Sequence, residues 1–126
     1  MAAVDAKWGG HFKVTELGET LIDGTQVSMD YYFKIDDKND RANLTLVTWH
    51  ASINCDGDYT LTVKSDVLQL DFADGDMTNS CTYPAPQFEI IKKKGKYYIR
   101  GAQFSYSPKG AWIALKKYTP KKGNPY

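Results

Sequence analysis

Between residues 27 and 35, Val27, Met29, Tyr31, Phe33 and Ile35 occupy every second position, with Ser28, Asp30, Tyr32 and Lys34 between them. An unbroken period of two predicts a strand with one buried face. A strand cannot bury that face alone, so others must join it. The same period returns along the chain. Trp8, Gly10, Phe12 and Val14 share a phase over residues 8–17, and Ala42, Leu44 and Leu46 share one from residue 41. Tyr59, Leu61 and Val63 alternate next, then Leu68, Leu70 and Phe72. Two further runs cover 88–93 and 96–100, and a last run, 111–117, sets Trp112 and Ala114 against Ile113 and Leu115. Within 41–51 the apolar phase changes to Val47, Trp49 and Ala51, which predicts a bulge or bend near Val47. No helical period is evident.

Punctuation agrees with this reading. Residues 18–24 and 36–40 are polar or glycine-containing turns, and Ser65-Asp66 and Lys94-Gly95 are spaced as two-residue hairpin loops. The stretch 75–87, with Pro84 and Pro86, is the one long loop, and 104–110 (FSYSPKG) is a second, aromatic-rich connection. The expectation is an all-β chain of seven to eight short strands in an antiparallel meander. A small closed or nearly closed barrel comes first, because closure removes edges; a sandwich comes second. The 126 residues make one domain, 1–126, with an ordered core at 8–117 and a flexible basic tail at 118–126.

Cys55 and Cys81 are the only cysteines. They bracket a hairpin pattern and the start of the long loop, so a disulfide between them would staple the two. Closing a loop of that length is worth about 3.5 kcal/mol in the chain-entropy picture. A disulfide points to an oxidising compartment, periplasmic or extracellular. The opening Met1-Ala2-Ala3-Val4-Asp5 has no apolar leader core, so the expectation is that Met1 stands where a leader was removed. No run of apolar residues is long enough to span a membrane as a helix.

Chemistry-bearing motifs are scarce. The serines have no nucleophile elbow, His11 and His50 read as wall residues, and Gly9-Gly10 precedes a strand rather than a phosphate-cradling helix. Asp56-Gly57-Asp58 and Asp74-Gly75-Asp76 flank one hairpin and could offer carboxylates to calcium, but the spacing is not that of a calcium loop and they read as turns. The expectation is therefore no catalytic residue, no metal and no cofactor. Charge is uneven: residues 1–87 sum to −8 and residues 88–126 to +9. That would suit an anionic partner, but the expectation is that acidic and basic strands pair and neutralise each other. The Lys92–Lys96 stretch with Tyr97 and Tyr98 reads as edge protection, not as a nucleic-acid site.

Six of the nine tyrosines fall at or after residue 83. Phe104, Tyr106, Lys109 and Trp112 combine rings and charge as protein-binding surfaces do, and they are the expected partner anchors. A small-molecule carrier, its ligand lined by Met29, Tyr31 and Phe33, is the alternative.

The opening Trp8-Gly9-Gly10-His11-Phe12 resembles the W-x-G-x-aromatic start of many small secreted bacterial barrels. Cys55-Asp56-Gly57-Asp58-Tyr59, Phe88-Glu89-Ile90 and Gly95-Lys96-Tyr97-Tyr98-Ile99 resemble segments of small exported Gram-negative proteins of unknown function. Periplasmic lysozyme inhibitors and toxin-immunity proteins are similar small barrels. The resemblance implies a lipocalin-like or inhibitor-like barrel in the periplasm that binds a protein, such as a toxin or cell-wall hydrolase. The Ser-Gly-x-x-Tyr loop of the lysozyme inhibitors is absent, so no functional residue carries over.

Overall fold

In the computed structural model the strands follow one another around a closed antiparallel barrel. They are β1 (Gly10–Thr20), β2 (Gln26–Asp36), β3 (Arg41–Trp49), β4 (Gly57–Lys64), β5 (Val67–Phe72), β6 (Phe88–Lys93), β7 (Lys96–Arg100) and β8 (Ile113–Lys117). The structure describes residues 4–49, 55–73, 81–104 and 110–120. The barrel is the expected architecture, and the sandwich is not formed. No helix among the described residues is long and apolar enough to cross a membrane.

The period of two becomes inside and outside. Register sets Phe12 against Phe33 and Val14 against Tyr31, then Tyr31 against Leu46 and Phe33 against Leu44. Around the ring, Leu61 faces Leu70, Leu70 faces Phe88, and Ile90 faces Ile99. All of these side chains are buried. Tyr31, Phe33, Tyr59, Phe72, Phe88 and Phe104 meet with ring centroids 4.8–6.5 Å apart, mostly edge to face. An eight-stranded barrel is just wide enough for side chains to fill, and here the rings that a carrier would use as cavity walls pack on one another.

The hairpin loops follow their residues. Ser65 and Asp66 both have positive φ, as do Lys94 and Gly95, which is what a tight two-residue turn in the strand twist demands. Three expectations are corrected. The β2–β3 ladder runs without a break from Ser28↔Trp49 to Asp36↔Arg41, so there is no bulge at Val47 within the described residues; Val47 simply faces outward, 38% exposed. The irregularity lies instead in β1, between Leu17 and Thr20, where strand continues into a stretch expected to turn. Trp8 belongs to a 3-10 turn, Ala6–Trp8, not to the first strand. Just beyond β8, Tyr118 donates its N–H to the His11 carbonyl at 2.9 Å, and its ring packs edge-on against Tyr32.

The two ends of the barrel differ. At one end the connections are short turns, and the 3-10 turn lies over it. Trp8 is fully buried there, the Tyr97 hydroxyl donates to the Lys7 carbonyl at 2.6 Å, Lys7 pairs with Asp66 at 2.7 Å, and the Val4 N–H donates to Asp40 at 2.9 Å. The other end receives the β3–β4, β5–β6 and β7–β8 connections, which hold both cysteines and the expected anchors.

Candidate functional site

At the long-loop end, Cys55 and Cys81 form the expected disulfide. Cys55 is buried with φ at 67°, a left-handed conformation for a residue with a Cβ, and its carbonyl accepts the Tyr59 hydroxyl. Gln87 anchors the arriving loop: its side chain accepts from the Phe72 N–H at 2.8 Å and donates to the Tyr83 carbonyl at 3.0 Å. Past Tyr59 and Phe72 the β4–β5 pairing continues, with the Ala73 N–H donating to the Asp58 carbonyl at 2.8 Å. Asp58 itself accepts from the Asn43 amide at 3.0 Å, and Asp74 and Asp76 lie outside the described residues.

Two of the expected anchors, Tyr106 and Lys109, also lie outside the described residues. Phe104 is not a surface anchor. It is 4% exposed, 4.8 Å from the Tyr31 ring and 5.7 Å from Phe88, because its chain turns inward after β7 and fills the barrel mouth. Beneath it lies a polar layer that the sequence reading passed over. Glu16 and Gln103 are each 6% exposed and surround the buried Tyr31 hydroxyl. Burial, and then the charge of Glu16, push the Tyr31 phenol far above its ordinary value, while Gln103 offsets part of the rise. The signal was parity: Glu16 shares the phase of Phe12 and Val14, and an acid on an inward phase is worth noting.

Trp112 leads to a different surface. It lies on the outer wall, with the Arg100 guanidinium over its ring at 4.4 Å. Arg100 is held there by Glu89, at 3.0 Å from both Nε and Nη2. Trp112, Tyr98 and Ile91 line an open groove of about 450 Å³ bordered by Lys93, Lys94 and Lys96. Across β8 a second groove of about 310 Å³ runs between β8 and β1, bordered by Lys13 and Lys116. The seam beneath it is the shortest ladder in the barrel, with two paired positions, Phe12↔Lys117 and Lys13↔Lys116.

Among the described residues the lysines on this wall have no carboxylate in a salt bridge, contrary to expectation. Lys13 stands opposite Lys116, and Lys93 opposite Lys96. The one carboxylate on β6–β8, Glu89, is engaged by Arg100. The physical reason is topological. In a sequential meander the basic C-terminal strands are one another's neighbours, so the chain's charge asymmetry becomes a spatial one.

No protein family, curated protein or solved structure matches this chain. The site must therefore be read from its own chemistry. Among the described residues no three His, Cys, Asp or Glu side chains are placed to hold a metal ion. His11 packs edge-on against Tyr118, with ring centroids 5.8 Å apart. The wall instead offers cations beside rings and two grooves, which is binding chemistry.

Proposed function

We propose that this protein is a non-catalytic exported binding protein that docks its β6–β7–β8–β1 wall on an acidic surface of another protein and neutralises it, as an immunity protein or hydrolase inhibitor does. The observation that carries this reading is the apposition of Lys13 with Lys116 and of Lys93 with Lys96. Like charges placed directly opposite each other weaken a sheet, and a partner's carboxylates would offset that loss. The disulfide fits an oxidising compartment such as the periplasm. The packed aromatic interior argues against the small-molecule carrier.

The test is inhibition of secreted cell-wall hydrolases and toxins encoded beside the gene. The wild type should inhibit one of them, and K13E/K116E should lose that inhibition while keeping its melting temperature. A charge-reversed protein that inhibits as well as wild type would remove the reading.

A further inference from the structure

We infer that the two grooves form one trough, joined over Ala114, that takes an extended acidic segment of the partner with one bulky apolar side chain. This rests on the binding reading above and gives it a ligand chemistry. Ala114 is exposed and is the smallest outward residue on β8; register places it beside Tyr98, between the two grooves. A larger side chain there would divide them. The apolar floor of Ile91, Tyr98 and Trp112 provides a seat for a ring or branched chain, and Arg100, locked by Glu89, holds the Trp112 ring in place. Preorganised apolar seats of this kind concentrate binding energy in a few contacts.

The cations then select the rest of the ligand. Lys93, Lys94 and Lys96 border one side of the trough, and Lys13 and Lys116 the other. Among the described residues none of the five is in a salt bridge. Carboxylates spaced along an extended segment match such separate point charges. A nucleic-acid strand matches less well, because base stacking needs open ring faces. On this wall Arg100 covers a face of Trp112, and at its edge Lys13 covers a face of Tyr32 on β2 at 5.2 Å.

The experiment measures binding of fluorescent probes to the full chain at low and high salt. The probes are a short glutamate-rich peptide with one central tryptophan, the same peptide with serine at that place, and a single-stranded oligothymidylate of similar length. The tryptophan peptide should bind about tenfold tighter than the serine peptide. Its affinity should fall with salt, and A114W and Y98S should each weaken it about tenfold. Melting curves of the two variants establish that they remain folded, and each checks the other should one fail to fold. Equal binding of the two peptides, unaffected by A114W and Y98S but lost in K93E/K96E, would overturn the trough and leave the charged-wall reading standing. No binding of either peptide would overturn the trough as well; inhibition lost in K13E/K116E would then still support the wall. Tighter binding of the oligothymidylate than of the tryptophan peptide would overturn the trough in favour of a nucleic-acid surface.

Discussion

Lys13 faces Lys116 across the seam that closes the barrel, on a ladder only two positions long. Two like-charged residues are thus paired where closure is held by the fewest paired residues, and the Lys13 ammonium lies over the Tyr32 ring of β2 at 5.2 Å. Replacing Lys116 with Glu turns repulsion into attraction. It should raise stability by about 0.5 kcal/mol at low salt. Added salt should stabilise the wild type and should do so less in the variant, because it screens the like-charge pair. Urea unfolding at two ionic strengths checks both expectations.

The Cys55–Cys81 bond closes a loop of 26 residues' separation, so reduction should cost about 3.5 kcal/mol. Cys55 adds a second effect, because its left-handed backbone suits glycine. With the bond removed, C55G/C81A should be more stable than C55A/C81A by about 1 kcal/mol. Denaturant midpoints of the two double variants decide this, and equal midpoints would mean that the left-handed conformation relaxes once the bond is gone.

Gly101 follows β7 where the chain passes close to the β5–β6 loop. A Cβ there would lie 2.5 Å from the Gln87 carbonyl oxygen and 3.0 Å from the Phe88 ring. Since Gln87 also fixes Phe72 and Tyr83, the backbone cannot retreat without loosening the loop. Gly101→Ala should destabilise by about 1–3 kcal/mol, read from chemical denaturation.

Phe104 and Trp112 flank the same connection but belong to different environments. Phe104→Ala removes a ring enclosed by Tyr31 and Phe88 and should cost about 3–5 kcal/mol. Trp112→Ala loses a half-buried ring and its Arg100 contact, and should cost about 1 kcal/mol. Thermal melts compare the two directly; similar losses would place Phe104 nearer the surface.

Tyr31 and Tyr59 make the protein sensitive to alkali. Burial raises both phenols above their ordinary value, with Glu16 adding to the effect at Tyr31 and Asp56 at Tyr59. A folded-state pKa above the unfolded one gives stability that is intact below about pH 10 and is lost as pH rises beyond it. In an ultraviolet titration Tyr31 and Tyr59 should ionise only as the fold is lost. Ionisation of all tyrosines in one reversible step would contradict this.

Much of the architecture was legible because local pattern and final environment agree. Val27 to Ile35 alternates and is buried on one face; Ser65-Asp66 and Lys94-Gly95 are spaced as tight turns and form them. The sequence was least informative where distant segments meet. Lys13 and Lys116 lie 103 positions apart, and no local turn sets the register between their strands. Charge totals therefore suggested neutralisation where the closed ring produces like-charge neighbours. Phe104 was misassigned because it sits in a connection, and a connection can send one ring inward to fill a barrel mouth. Glu16 was legible but overlooked, since its parity places it beside Val14 rather than beside Thr15.

The two-position seam also sets an order of assembly. β1 pairs with β2, its immediate neighbour in the chain, and Cys81 precedes β8 in the sequence. In the closed ring Ile113–Lys117 covers the edge of β1, so the growing chain leaves that edge open until β8 is made. The cross-link between Cys55 and Cys81 can thus be made on an unfinished sheet, and an early stop before residue 113 leaves β1 a bare edge, ready to pair with another unfinished chain.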